Sequence, residues 1–226
     1  MKLKWRRGIV ALVSLVVLAF VVVQATPSVE QSDPQLQTED ISQQAITALE
    51  DLPVKGRAPK TDYSREQFGS GWSSINGCDT RNIILNRDLV NPVLDEECRV
   101  ISGTLHDPYT GKTINFNKEQ GSAIQIDHIV ALSDAWQKGA QQLTRELRIQ
   151  LANDPLELIA VDGPANMEKG DGDAATWLPE NKSFRCQYVA RQISIKQKYT
   201  LWVTVAEKEA MARVLATCPG QALPVK

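Results

Sequence analysis

The apolar residues fall into three regimes along the chain. Gly8 to Val23 is an almost unbroken aliphatic run, Thr26 to Leu52 holds few large apolar residues, and from Pro53 onward they recur with the periods of secondary structure. Arg99 to His106 predicts a strand, and the turn Asp107-Pro-Tyr-Thr-Gly111 leads to a second at Thr113 to Phe116, making a hairpin. Ala123 to Val130 and Leu156 to Val161 are apolar runs of strand length. Between them Trp136, Ala140, Leu143, Leu147 and Leu151 recur at three- and four-residue steps, the stripe of a helix that Asn153-Asp-Pro155 stops. Asp162-Gly-Pro164 then turns the chain into a short helix carrying Asn166 and Lys169. Two further helices are predicted over Ser183 to Tyr199 and Val205 to Thr217, the last opened by Thr204 and Glu207 at capping-box spacing. Ser64-Arg-Glu-Gln67 has the same spacing and predicts a short helix over Tyr63 to Trp72.

Charge divides the chain at the same boundaries. Lys2, Lys4, Arg6 and Arg7 precede the aliphatic run, and Val23-Gln24-Ala25 follows it with small or aliphatic residues where a signal peptidase needs them. Residues 1–25 therefore read as a signal peptide. The rival reading is an uncleaved anchor, but the run of 16 residues is shorter than the ~20 that usually span a bilayer. Either way the rest of the chain lies outside the cytoplasm, with membrane contact confined to this segment. Residues 26–52 hold six acids and no Lys or Arg, a composition that reads as a flexible acidic spacer. Residues 53–226 form the expected domain, with 21 acids balanced by 21 bases. Its bases concentrate at Lys182, Arg185, Arg191, Lys196, Lys198, Lys208 and Arg213, either a face for phosphates or a solvated helix surface.

The four cysteines, Cys78, Cys98, Cys186 and Cys218, all lie in this domain. An even number in an exported chain suggests disulfides, with three pairings open. The sequentially local pairing, Cys78–Cys98 and Cys186–Cys218, is favoured over the others. No C-x-x-C pair exists, which argues against a zinc knuckle or a thiol-redox site.

Three short segments carry the chemistry: Ile126-Asp127-His128-Ile129, Pro155-Leu-Glu157-Leu-Ile159 and Asn166-Met-Glu-Lys169-Gly-Asp171. Phosphodiester hydrolysis needs an activated water and relief of charge at the leaving oxygen. A neutral imidazole can take the water's proton, and a hard divalent cation on Asp and Asn oxygens can stabilise the oxygen. Neighbours on a regular strand point to opposite faces. Asp127 and His128 therefore share a site only if the strand bends or bulges, or if they reach a phosphate from two sides. His106, the other histidine, lies just before a turn and is a weaker candidate. Trp136, Trp177 and Trp202 read as core or interface aromatics, and Asp171 and Asp173 as residues bounding the helix.

From about Tyr63 to Cys218 the chain resembles the exported HNH endonuclease family found in bacteria, whose nuclease domain is similar to the C-terminal HNH module of modified-DNA restriction enzymes. The resemblance runs through Asn76-Gly-Cys-Asp-Thr-Arg-Asn82, Ser102-Gly-Thr-Leu105 and Asp107-Pro-Tyr-Thr-Gly-Lys112. It continues through Gln125-Ile-Asp-His-Ile-Val-Ala-Leu-Ser-Asp-Ala-Trp136, Lys169-Gly-Asp171 and Asp173-Ala-Ala-Thr-Trp-Leu-Pro179. It implies an α+β fold: a ββα-metal (HNH, His-Me finger) core with flanking helices and a disulfide-tied N-terminal hairpin region. It also implies an endonuclease acting on nucleic acid, DNA by preference, with His128 as general base and Asp127 and Asn166 as metal ligands. One divalent ion is expected, Mg²⁺ by default. Mn²⁺, Ni²⁺ or Zn²⁺ would also serve, because one carboxylate and one amide discriminate poorly. Lys169 and Arg81 are candidate phosphate contacts. Glu157 departs from the pattern by standing where the family has an Asn that holds the base-bearing loop. It can accept but not donate like an amide, and its charge would raise the pKa of His128 or enter the metal shell. That departure keeps open an alternative, a catalytically inactive HNH-scaffold binding or cell-envelope module. The oligomeric state is not legible from the chain.

Overall fold

In the computed structural model the residues described are 45–120 and 123–224. The predicted signal segment and most of the acidic spacer lie outside them. Among the described residues no helix is long and apolar enough to cross a membrane.

The spacer ends earlier than its composition suggests. Residues 45–51 are helical (α1), and Ala45, Ala48, Leu49 and Leu52 are buried together with Ile193, Val203, Met211 and Leu215. Their three- and four-residue spacing gives one apolar stripe, and exposed acids on the other side, Glu50 and Asp51, mask it. The folded unit therefore begins before Pro53.

Three small antiparallel sheets follow among the described residues, in keeping with an α+β fold. β1 (Ser74–Ile75) pairs with β2 (Cys78–Asp79). β3 (Val90–Leu94), β4 (Val100–His106) and β5 (Thr113–Asn117) form a meander, with β4 and β5 joined by the predicted turn at Asp107–Gly111. Helix α2 (Thr80–Asp88) between β2 and β3 has no counterpart in the sequence reading. Asp79 caps it by accepting from the Asn82 N–H at 2.7 Å.

β6 (Ile124–His128) and β7 (Leu158–Asp162) form the third sheet, with unbroken register from Ile124↔Asp162 to His128↔Leu158. Every residue of β7 is buried. Ile159 and Val161 enter one core with α1, and Leu158 and Ala160 enter another with Ile84, Leu85 and Phe116. The long helix expected between the two strands is broken into α3 (Leu132–Gln137) and α4 (Arg145–Asn153). Gly139, at φ 124°, makes the break, and a Cβ there would sit 3.2 Å from the Trp202 ring. After β7 come α5 (Gly163–Lys169), α6 (Arg185–Lys198) and α7 (Val205–Leu215). The Thr204–Glu207 capping box forms as predicted. Its counterpart at Ser64 does not: Arg65–Phe68 is a single 3₁₀ turn without a side-chain cap.

Both expected disulfides are present. Cys78–Cys98 ties β2 to the turn before β4, and Cys186–Cys218 fastens the start of α6 to the end of α7. Trp136 and Trp202 are buried and Trp177 is half-buried against Tyr109, as core aromatics should be.

A buried ion cluster lies at the centre of the helical half. Lys138 Nζ, fully buried, sits 2.7 Å from Asp134 Oδ1, 2.7 Å from Asp173 Oδ2 and 2.6 Å from Glu207 Oε2. Lys196 adds a contact to Glu207 Oε1 at 3.0 Å, and Arg57 reaches Asp134 and Asp173 at 2.9 and 2.8 Å. Three cations thus meet three carboxylates. Asp173, expected to bound a helix, is a member of this cluster. Burial raises its carboxyl, but the hydrogen bond and charge of Lys138, with Arg57 and the Ala175 N–H, outweigh that and bring it to about 2.

Candidate active site

Asp127 and His128 end strand β6, and no bulge brings them together. They reach the same cleft from its two sides. Asp127 points toward α5 and Tyr109, while His128 points toward the end of α4. The cleft, about 460 Å³, is lined by both residues and by Asn166, Arg65, Arg81 and Asp171.

His128 is buried, and its ring lies parallel to Trp72 at 5.9 Å between centroids. Its Nε2 is 3.0 Å from the Ala152 carbonyl. A carbonyl only accepts, so Nε2 carries the proton and Nδ1 keeps the lone pair. Ala152 lies in the last turn of α4, where carbonyls have no partner within their own helix. Burial, then the charges of Arg65 and Lys169, lowers the imidazole pKa from 6.5 to about 3, against the opposing Ala152 bond. The ring is therefore neutral at ordinary pH.

Asp127 is almost fully enclosed. Tyr109, at the β4–β5 turn, donates its hydroxyl to Oδ2, and burial followed by the Asp127 charge keeps that phenol protonated. Lys169 Nζ stands 3.0 Å from Oδ1 and 2.8 Å from Oδ2, and it also donates to the His128 carbonyl at 2.7 Å. The side chain of Lys169, expected to meet a phosphate, is fully buried and bonded to β6. Helix α5 exists in this place because Gly163 lets the backbone approach. Its N–H reaches the Ala123 carbonyl at 2.6 Å, where a Cβ would lie only 2.8 Å from that oxygen. One turn on, Asn166 is half-buried at the cleft, its Nδ2 donating to Gln125 Oε1 at 2.8 Å. The amide oxygen remains as its acceptor.

Glu157 does part of what an Asn would do there. Its two oxygens accept from the Val130 N–H at 3.3 and 3.1 Å, fastening the loop after His128. It is fully buried, lies outside the cleft lining, and burial pushes its carboxyl well above the usual range. The rise in the His128 pKa expected of its charge is not seen: that pKa is lowered.

The cations at the cleft are Arg81, on the first turn of α2, and Arg65, which the sequence reading did not single out. Five of the seven basic residues near the C-terminus, Lys196 of the ion cluster among them, have structural partners. Arg191 donates to the Leu156 and Leu158 carbonyls, Lys198 pairs with Asp154, Arg185 reaches the Pro179 carbonyl and Lys208 reaches that of Glu50. Asp171, at the cleft edge, pairs with Lys60. His106 is exposed, faces Thr113 and does not line the cleft. Tyr109 and Trp72 were also missed. Each lies far from β6 in sequence, and only its place within the Asp107–Lys112 motif hinted at Tyr109.

A family model for the C-terminal domain of GmrSD restriction endonucleases matches residues 80–214. A protein of the fungus Arthroderma benhamiae, described as an uncharacterized secreted protein, is 38% identical over 207 residues, covering 90% of this chain and 98% of that protein. This relative is fungal, whereas the resemblance seen in the motifs pointed to bacteria. No solved structure matches. On the extent of the family match, which spans α2 through most of α7 and includes Asp127, His128 and Asn166, the chain belongs to the family of GmrSD restriction endonuclease C-terminal domains.

Proposed function

We propose that the protein is a metal-dependent endonuclease that hydrolyses DNA phosphodiester bonds outside the cytoplasm, with β6, β7 and α5 as a ββα-metal core. The observation that carries this reading is the state of His128: a neutral imidazole held by the Ala152 carbonyl, with Nδ1 unprotonated, on a cleft that also holds Asp127, Asn166 and two arginines.

The donors on the cleft are of the kind that the implied metal takes. Asp127 offers a carboxylate and Asn166 an amide oxygen on one cleft, both hard oxygen donors. Among the described residues no group of three or more His, Cys, Asp and Glu is placed to hold a metal. An ion here would take most of its shell from water and phosphate, which suits Mg²⁺ or Mn²⁺ and suits Zn²⁺ poorly. The residues fit a hard, weakly held ion. When bound, it supplies charge relief at the scissile phosphate and its leaving oxygen.

The chain's own groups do the rest. His128 Nδ1 takes a proton from the attacking water. Arg65 and Arg81 hold the phosphate, and that anion offsets the Arg65 charge that depresses the imidazole, so the ring becomes more basic once substrate is seated. The negative end of α4, through the Ala152 carbonyl, favours the imidazolium that results. Glu157 keeps the Val130 loop in place beneath the base. Export is supported by the basic and aliphatic start of the chain, the two disulfides and the secreted relative.

The test is plasmid nicking by the full chain with Mg²⁺, with Mn²⁺ and with EDTA. Metal-dependent nicking that falls at least a hundredfold in His128→Ala is expected, general-base catalysis being worth roughly 10²–10⁴. A folded protein that cuts neither DNA nor RNA with any divalent ion would leave the inactive scaffold as the correct reading.

A further inference from the structure

The carboxylate offered to a metal is already partnered. Lys169 Nζ contacts both oxygens of Asp127, at 3.0 and 2.8 Å, and Tyr109 donates to Oδ2. The Lys169 side chain is fully buried and that of Asp127 is 8% exposed, so water screens this pair little. The same ammonium donates to the His128 carbonyl at 2.7 Å, which fixes it to β6 from below while α5 carries it from the side. Asn166 sits one helical turn earlier on α5. Lys169 is therefore placed to act on the carboxylate donor, from the helix that also carries the amide donor.

We infer that Lys169 is a resident counter-cation that stands in for the divalent ion when the site is empty and sets its affinity low. The inference rests on the metal reading above and deepens it. A buried carboxylate without a partner is costly, and a protein whose metal comes and goes meets that cost in the empty state. Lys169 removes it. The same fixed positive charge, in contact with the carboxylate, repels an incoming divalent ion through a poorly screened medium. Two consequences follow. The metal-free fold is stable, and the ion binds well only when a phosphate brings further negative charge to the cleft. A cation committed to the floor also leaves phosphate binding to Arg65 and Arg81.

The measurement is Mn²⁺ binding to the metal-free full chain at pH 8, by calorimetry or by the paramagnetic resonance of free Mn²⁺, without nucleic acid. Lys169→Gln keeps a donor for the His128 carbonyl and removes the charge. It should bind Mn²⁺ at least tenfold more tightly than the unaltered chain, and its half-saturating Mg²⁺ for plasmid nicking should fall by a similar factor. Lys169→Arg, which keeps the charge, should retain the original affinity within about threefold. Circular dichroism shows whether each variant is folded, and Lys169→Met provides a second neutral side chain. A merely structural lysine would lower activity without lowering the metal requirement. Unchanged or weaker Mn²⁺ binding in the folded neutral variants overturns the inference while leaving the metal reading intact. If Asp127→Asn binds Mn²⁺ as the unaltered chain does, the metal reading itself fails and takes the inference with it.

Discussion

Replacing Lys138 by Met removes the hub of the buried ion cluster and nothing at the cleft. The ammonium lies within 2.6–2.7 Å of three carboxylates and has no exposure to water. Without it Asp134, Asp173 and Glu207 face only Lys196 and Arg57, so three buried negative charges meet two positive ones. Breaking a buried ion pair by truncating one partner costs about 3–5 kcal/mol, because the remaining charge is left uncompensated. Against a total stability of about 5–15 kcal/mol this is a large fraction. At about 2–4 °C per kcal/mol for a domain of this size, the melting temperature should fall by roughly 6–20 °C. Urea unfolding followed by tryptophan fluorescence measures the loss directly, with an unchanged slope if only stability has moved. Adding Glu207→Gln restores charge balance, and the double variant should recover part of the loss. A Lys138→Met variant within 1 kcal/mol of the original chain, or a double variant less stable than the single one, would refute the view that charge balance holds this cluster together.

Two further outcomes are expected. Leu49→Ala, in α1, opens a cavity beside Met211 and Leu215 and should cost about 2–5 kcal/mol by urea unfolding; a loss below 0.5 kcal/mol would return residues 45–52 to the spacer. His128 has its folded pKa lowered from 6.5 to about 3, so the unfolded chain binds the extra proton in between. Stability from this source is complete above pH 6.5 and drains away as the pH falls toward 3. His128→Asn, which does not titrate there, should flatten the pH dependence of unfolding in that window, and an unaltered curve would count against the burial of the ring.

The sequence was most informative where periodicity and turn chemistry agreed. The Asp107–Gly111 hairpin, the β6 and β7 runs and the Thr204 cap all appear where their residues place them. It failed where tertiary contacts decide. Helix α2 has a weak apolar stripe and is held by its Asp79 cap and by the core beneath it. Helix α1 sits within an acidic stretch whose charges hide four buried apolar residues. The middle helix breaks because Gly139 packs against Trp202, some sixty residues away. In the site, the motifs and the family resemblance singled out Asp127, His128 and Asn166, and the fold brings all three to one cleft. Lys169 was legible as a position but not as a role. A lysine on a short helix reads as a surface cation until the fold shows the carboxylate behind it. Arg65, Trp72 and Tyr109 come from three separate segments, and only their convergence reveals them.

The hydrogen bond from His128 to Ala152 also bears on how this fold can diverge. The two strands and the helix that frame the cleft look like a movable cassette, with residues 129–157 as an interruption between them. Yet the oxygen that sets the imidazole tautomer comes from that interruption. Lengthening or shortening α4 by one residue would turn its last carbonyls through about 100° and take Ala152 away from the ring. The interruption is therefore under a registration constraint of its own. Insertions in this lineage should accumulate before α4, around residues 138–144, and a transplanted cassette would have to carry α4 with it.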